Sequence, residues 1–378
     1  MSIQKRTYKK KNGKVTTRYY ANVWNPATLK SVTGKMRDKK KDAVQDEAQI
    51  IKEISKGKRH NQKKQTFDQV ANLWLESTVN NYEPGTLQTY TYFYTRHIKE
   101  VLGTHQIDRI STIKIQGYIN TLAKKYSPET VNKCINVMSL VLQFAINTLH
   151  LMTYTENPML GIKRLNVPYT KKRTWTDEQI GMFLTSSTIK QHHYYPMFCV
   201  SLLLGVRPTE CCGFADDDFI ENEHILTLHR NYDRLGNIKD TKTKGSIRGL
   251  YLPGMLFDVV KKQTEKKMWL KSYHPDYQHD FLFYTIKGHP VSPNYYSKKF
   301  RKALKEYNEN EPDQLPMIPL YNLRHSFATN NYEHGESEKV LSDIMGNSPK
   351  TFLQTYAHIR SRQSTKAISD YEKSIFKL

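Results

Sequence analysis

Two basic breaks divide this 378-residue chain and rule out one continuous core. The first is "KRHNQKKQ" at 58–65, directly after Gly57. The second is "NPMLGIKRLNVPYTKKR" at 157–173. The first is polar and basic and the second is a Pro/Gly/basic stretch, so each reads as a linker. Three domains are expected, over 1–60, 61–168 and 169–378, in line with a chain of this length. The fold class that follows is α+β and multidomain. It joins a small sheet-plus-helix domain, an all-helical domain and a mostly helical domain with a small antiparallel sheet.

The local patterns support this division. "TTRYYANVWN" (16–25) alternates as a pleated segment does, and the first domain reads as two or three short strands followed by a helix over 40–57. In the second domain Thr66 and Gln69 have capping-box spacing ahead of an apolar stripe of Phe67, Val70, Leu73 and Trp74. "EPGT" at 83–86 breaks the chain, and helical periodicity returns near 87–101, 112–124 and 128–149. The third domain opens with a second capping box, Thr176 and Gln179. Its helices are interrupted by "HILTLHRNY" (224–232), "NIKDTKT" (237–243) and "SIRGLYL" (246–252). These read as a three-stranded antiparallel sheet with Gly236 and Gly245 in its turns.

Charge narrows the function. Residues 1–65 hold 19 Lys and Arg against 5 Asp and Glu, a net of +14 out of +22 for the chain. So uneven a distribution points to a polyanion partner for the first domain. The basic residues are interleaved with strand formers, which a solvated tail would lack. Arg6, Arg18, Tyr20, Trp24, Lys30 and Lys35 are the expected DNA contacts, carried on strands rather than on the mixed-charge helix 40–57. The longest apolar run, "MFCVSLLLGV" (197–206), is too short for a membrane span of about 20 residues. The start, "MSIQKRTYKKKNGK", lacks an apolar signal-peptide core, so a cytoplasmic protein without a membrane partner is expected. Cys134, Cys199, Cys211 and Cys212 have neither C-x-x-C nor zinc-like spacing and read as buried free thiols. No metal and no cofactor are expected: the chain has no Walker-type glycine loop, and "ADDD" (215–218) reads as a solvated turn.

Three stretches carry chemistry. In "LLLGVRPTECCGF" (202–214), Gly205 ends one helix and Pro208 suits the first turn of the next. Arg207 then stands at a helix start, with Glu210 placed to orient it. In "PLYNLRHSFATN" (319–330), Leu320, Leu323 and Phe327 point inward, while Tyr321, Arg324 and His325 share a neighbouring face at i, i+3 and i+4. In "DIMGNSPKTFLQTYAHI" (343–359), a helix ends at Gly346, Pro349 restarts the chain, and Tyr356 follows. Taken alone, Tyr356 is a packed core tyrosine on one face with Phe352 and Ile359.

Together these stretches resemble the tyrosine recombinase, or phage integrase, family. The resemblance rests on Arg207 in L-x-x-G-x-R-x-x-E, on L-R-H at 323–325, and on the glycine-ended helix ten residues before Tyr-Ala-His. It also rests on "TKTKGSIRGLYLP", which matches the family's K-T-x-x-S-x-R hairpin and selects Lys242. The match spans about 174–360. The upstream layout is similar to integrases of bacterial phages and related mobile elements, with an arm-site-binding domain, then a helical core-binding domain of SAM-like type.

The resemblance implies the chemistry. Tyr356 is the nucleophile, forming a 3′-phosphotyrosyl link and freeing a 5′-hydroxyl. Arg207 and Arg324 neutralise the phosphate oxygens, and Lys242 protonates the leaving oxygen. One phosphoester replaces another, so neither ATP nor metal is required. The implied partners are duplex DNA at core and arm sites, three further protomers in a homotetramer, a host DNA-bending protein and an excision factor. Two positions depart from the family pattern. Tyr321 stands where a histidine is usual, and Asn347 where a histidine or tryptophan is usual. A tyrosine is a poor base at neutral pH, with a reference pKa of about 10, so cleavage relying on another group such as His325 is one expectation. The alternatives are a catalytically weakened DNA-binding relative and a type IB topoisomerase-like enzyme.

Overall fold

A computed structural model describes residues 2–9, 15–26, 30–55, 65–168, 172–240 and 247–356. The chain forms two compact units, Met1–Tyr169 and Thr170–Leu378.

The first unit contains two separate apolar clusters. Strands β1 (Ile3–Lys9), β2 (Val15–Asn25) and β3 (Lys30–Thr33) form an antiparallel sheet in the order β1-β2-β3. Helix α1 (Lys40–Ser55) covers one face through Ala43 and Ile50, against Ala21 and Val32. Side chains alternate across a strand, so burial of Ala21 directs Arg18, Tyr20 and Trp24 to the uncovered face. Arg6 lies directly opposite Arg18 and joins them there.

The helical part comprises α2 (Phe67–Ser77), α3 (Pro84–Phe93), α4 (Lys99–Leu102), α5 (Thr112–Ala123) and α6 (Pro128–Asn147). The Thr66 capping box forms: Thr66 Oγ1 accepts from the Gln69 N–H at 3.3 Å, and the Thr66 N–H donates to Gln69 Oε1 at 2.9 Å. Phe67, Val70 and Trp74 enter the core, but Leu73 is 39% exposed, so the expected stripe is narrower by one residue. A π-helical turn, Tyr94–Ile98, joins α3 to α4.

The second unit begins with α7 (Asp177–Thr185), capped by Thr176 and Gln179 as expected. It continues through α8 (Ser187–Lys190), α9 (Tyr195–Leu204) and α10 (Pro208–Cys211). Helix α9 is apolar on all sides and lies inside the core, as its composition requires. Five short strands follow: β4 (Phe219–Ile220), β5 (Ile225–Leu228), β6 (Arg230–Tyr232), β7 (Ile238–Asp240) and β8 (Arg248–Tyr251).

These strands correct the expected sheet. The stretch 224–232 is two strands: β5 pairs with β4 and β8, and β6 pairs separately with β7. The cause lies in "ADDD", a turn in which Asp217 is solvated but Asp218 is not. Asp218 is buried, accepts from the Ala215 N–H at 2.7 Å, and draws in His229 and Arg230 from the break between β5 and β6. Helices α11 (Gly254–Tyr273), α12 (Pro293–Asn310), α13 (Tyr321–Glu333) and α14 (Glu338–Met345) complete the unit, with a last helical segment at 349–356. All four cysteines are buried and free. Among the described residues no helix is long and apolar enough to cross a membrane.

Candidate active site

The site is built around one buried carboxylate. Pro208 starts α10, which leaves Arg207 extended at the N-cap and brings Glu210 back beneath it. The Arg207 N–H donates to Glu210 Oε2 at 2.7 Å, and its Nη1 donates to Oε1 at 2.6 Å. Arg248, on β8, donates from Nη2 to Glu210 Oε2 at 3.3 Å. Arg324 Nη1 lies 3.8 Å from the same oxygen. Burial alone would push the Glu210 carboxyl up, but Arg248, Arg207 and Arg324 together hold it below its ordinary value. It is therefore ionised, and one negative charge faces three guanidinium groups.

Two left-handed glycines shape the walls. Gly205, at φ +61°, closes α9 so tightly that a Cβ there would strike the Phe327 ring. Its carbonyl is thereby presented to Arg324 Nη1, which donates to it at 2.7 Å. Gly346, at φ +62°, ends α14, and a Cβ there would strike the Arg248 guanidinium. That turn delivers Asn347. Its Oδ1 accepts from Arg324 Nη2 at 3.0 Å and from Arg207 Nη2, so both arginines converge on one oxygen. Arg207 Nη2 also donates to Gly346 O at 3.1 Å, and Arg324 Nη2 to Met345 O at 2.7 Å.

Tyr356 is 4% exposed and belongs to a small cluster with Phe327, Tyr332 and Phe352. Its ring lies 4.7 Å from that of Phe352, as the shared helix face predicted. The core reading is thus right for the ring. The hydroxyl is placed differently: Tyr356 Oη lies 2.7 Å from His325 Nδ1.

The expected common face of Tyr321, Arg324 and His325 divides. Tyr321 is 46% exposed and meets His325 edge to face at 5.3 Å. Arg324 turns inward, because its guanidinium finds carbonyls at the ends of α9 and α14, Gly205 O and Met345 O. Burial, then the nearby Arg207, lower Arg324 to about 10, which leaves it protonated at neutral pH. Burial, then Lys172 and Arg324, lower His325 to about 4, which leaves it neutral. Lys242 lies outside the described residues.

Arg248 was missed as a site residue. It is the last residue of the K-T-x-x-S-x-R pattern, and that position was the available signal. Its role appears only when β8, α10 and the end of α14 meet. There its Nε donates to Ile344 O at 2.5 Å while its Nη2 holds Glu210.

The basic residues of the first domain lie as follows. Arg18 Nε pairs with Asp38 at 2.9 Å, and the Tyr20 hydroxyl donates to Gln4 at 2.6 Å. Trp24 is 57% exposed, and Lys30 and Lys35 are exposed at and after β3.

The model of the Phage integrase family matches residues 174–363, just over half the chain, and that of the phage integrase N-terminal SAM-like domain matches 66–123. The chain belongs to the phage integrase family. A relative in sequence is the tyrosine recombinase XerC-like protein of Caldanaerobacter subterraneus subsp. tengcongensis. It is 26% identical, over 97% of this chain and 98% of the relative. Among solved structures, the Tn1549 transposon integrase in complex with transposon right-end DNA has a TM-score of 0.66 at 21% identity, over 79% of this chain and 99% of that one. A lambda integrase tetramer bound to a Holliday junction has a TM-score of 0.60 at 15% identity, over 92% of this chain and 94% of that one. The phage integrase fold thus accounts for the mixed architecture, mainly helical with small antiparallel sheets.

Proposed function

We propose that this phage integrase family member is a site-specific DNA recombinase of a mobile element, cutting and rejoining DNA through a 3′-phosphotyrosyl intermediate. The observation that carries this reading is the single oxygen, Asn347 Oδ1, held between Arg207 and Arg324. A site that places an oxygen acceptor between two guanidinium forks is suited to a non-bridging phosphate oxygen. The phosphate displaces the amide oxygen and leaves Asn347 free to donate from Nδ2.

The chemistry follows from that exchange. A phosphodiester resists attack because its oxygens are anionic. Arg207 and Arg324 offset that charge and stabilise the additional charge of the pentavalent transition state. Tyr356 Oη forms the new bond to phosphorus as the bond to the 5′-oxygen breaks. Lys242 gives its proton to that oxygen. The 5′-hydroxyl of a partner strand then reverses the step and releases the tyrosine. Glu210 does not react; it fixes Arg207 and keeps three like charges together.

The three-domain division, 1–60, 61–168 and 169–378, belongs to the same proposal. So does DNA binding at arm sites through the uncovered face of the β1-β2-β3 sheet, where Arg6, Arg18, Tyr20 and Trp24 meet. A two-stranded ribbon such as β1-β2 fits a major groove about 12 Å wide. Assembly as a homotetramer on two DNA sites is supported by the fold shared with the lambda integrase tetramer.

The test is covalent trapping on a nicked recognition site. Tyr356→Phe abolishes the adduct and leaves DNA binding intact. An adduct formed by the Phe variant would reduce Tyr356 to a packing residue and remove the assignment.

A further inference from the structure

The recombinase reading leaves one proton without a destination. Tyr356 must lose its hydroxyl proton as it attacks, and the ordinary pKa of a tyrosine is about 10. The family's usual histidine, three residues before the second arginine, is replaced by the half-exposed Tyr321. Glu210 is committed to Arg207 and Arg248, and Asn347 is a neutral amide.

We propose that His325 accepts the Tyr356 proton during strand cleavage. The two side chains come from different elements. His325 stands on the first turns of α13, and Tyr356 lies on the segment 349–356. Phe352 and Tyr332 fix the tyrosine ring, with centroids 5.4 Å apart from each other and Phe352 4.7 Å from Tyr356. Tyr321 meets the imidazole from the solvent side at 5.3 Å. Nδ1 therefore faces the hydroxyl at 2.7 Å, within the range for direct proton transfer.

The charged surroundings make this acceptor conditional on substrate. Lys172 and Arg324 are the cations that face His325, and with burial they keep the imidazole neutral; in the tautomer protonated on Nε2, the lone pair of Nδ1 meets the Tyr356 hydroxyl. Tyr321 and Tyr356 are its other titratable neighbours. A bound phosphodiester brings negative charge against Arg324 and weakens that opposition. The proton affinity of His325 rises when DNA occupies the site. In the balanced step, the O–H bond of Tyr356 breaks and the proton moves to Nδ1. The Tyr356 O–P bond forms, the bond from phosphorus to the 5′-oxygen breaks, and Lys242 protonates that oxygen. Resealing returns the Nδ1 proton to Tyr356.

This inference rests on the recombinase reading, and one experiment separates the two. The rate of covalent adduct formation on a nicked site is measured from pH 6 to 9.5 for the full chain, His325→Ala and His325→Gln. The wild type is expected to be flat above pH 7. His325→Ala is expected to be slower by about 100-fold at pH 7, the lower range for a lost general base. Its rate should then rise tenfold per pH unit, because the tyrosine must ionise unaided, so the gap closes near pH 9. Glutamine keeps a hydrogen-bond acceptor but no base, so His325→Gln should show the same slope even if the alanine variant misfolds. Variant profiles parallel to the wild type would overturn the proposal and make His325 a packing residue. A wild type that forms no adduct would overturn the recombinase reading and this proposal with it.

Discussion

The molecule uses arginine in two ways. On the β1-β2-β3 sheet, Arg6 and Arg18 face each other across two strands, and the Arg18 side chain is 47% exposed. In the active site the side-chain exposures are 31% for Arg207, 9% for Arg248 and 2% for Arg324. The sheet arginines are charges on a surface, screened by salt. Those of the active site are parts of the architecture, each tied to named carbonyls or to Glu210. Attraction to a polyanion needs only charge in the right region. Catalysis on a phosphodiester needs that charge fixed before the substrate arrives.

Removing one arginine from each set breaks the comparison most sharply. Arg324→Ala should cost about 3–5 kcal/mol of folding stability, because Glu210 loses a compensating charge and two carbonyls lose a donor. Arg18→Ala should change stability by no more than ~0.5 kcal/mol. Urea unfolding of both variants measures the contrast, and equal losses would abolish the distinction.

Arg248→Ala should come next. It removes the link between Glu210 and Ile344 O but leaves Arg207 and Arg324 in place. About 1.5–3 kcal/mol of stability is expected to go with a lost charged hydrogen bond. Adduct formation should slow, while DNA affinity holds. Retained cleavage in a destabilised variant would show that Arg248 serves the fold alone.

Acid titration sharpens the point further. The folded pKa of Glu210 is depressed. Its contribution is therefore complete above the unfolded carboxyl value of about 4.3 and is lost as pH falls through the lower folded value. Glu210→Gln should be less stable than the wild type at pH 7, and the gap should narrow below pH 4. A gap unchanged by acid would mean that Glu210 acts by shape and not by charge.

The smallest effect on chemistry belongs to the sheet. Arg6→Ala with Arg18→Ala should flatten the slope of log K against log salt by about 1.8, near 0.9 for each phosphate that is no longer neutralised. Cleavage of an isolated core site should be spared. An unchanged slope would remove the sheet from the DNA interface.

Legibility followed the same division. The capping residues Thr66 and Thr176, the glycine ends at Gly205 and Gly346, and the burial of Phe352 with Tyr356 were all visible as local spacing. The +14 charge of residues 1–65 was visible as composition. What escaped depends on packing between distant segments. Asp218 looked solvated because nothing nearby in sequence reveals that His229 and Arg230 close over it, and that closure splits the expected sheet. Helical phase puts Arg324 with Tyr321 on the face next to the apolar one, because phase alone does not know that two helix ends supply carbonyls from within. Arg248 was visible as a motif letter without a role.

The buried cysteines have a practical consequence for watching such a protein work. Burial pushes Cys134 up to about 11, and Cys199 and Cys211 up to about 12; Cys212 is raised well above the ordinary thiol value. Alkylating reagents attack the thiolate, so these four sites are silent at neutral pH. A cysteine introduced at Ile113, which is 85% exposed, becomes the one fast-reacting thiol in the chain. A single dye can then be attached without first stripping the native sulfurs, and the helical domain can be followed on DNA in real time with its core unaltered.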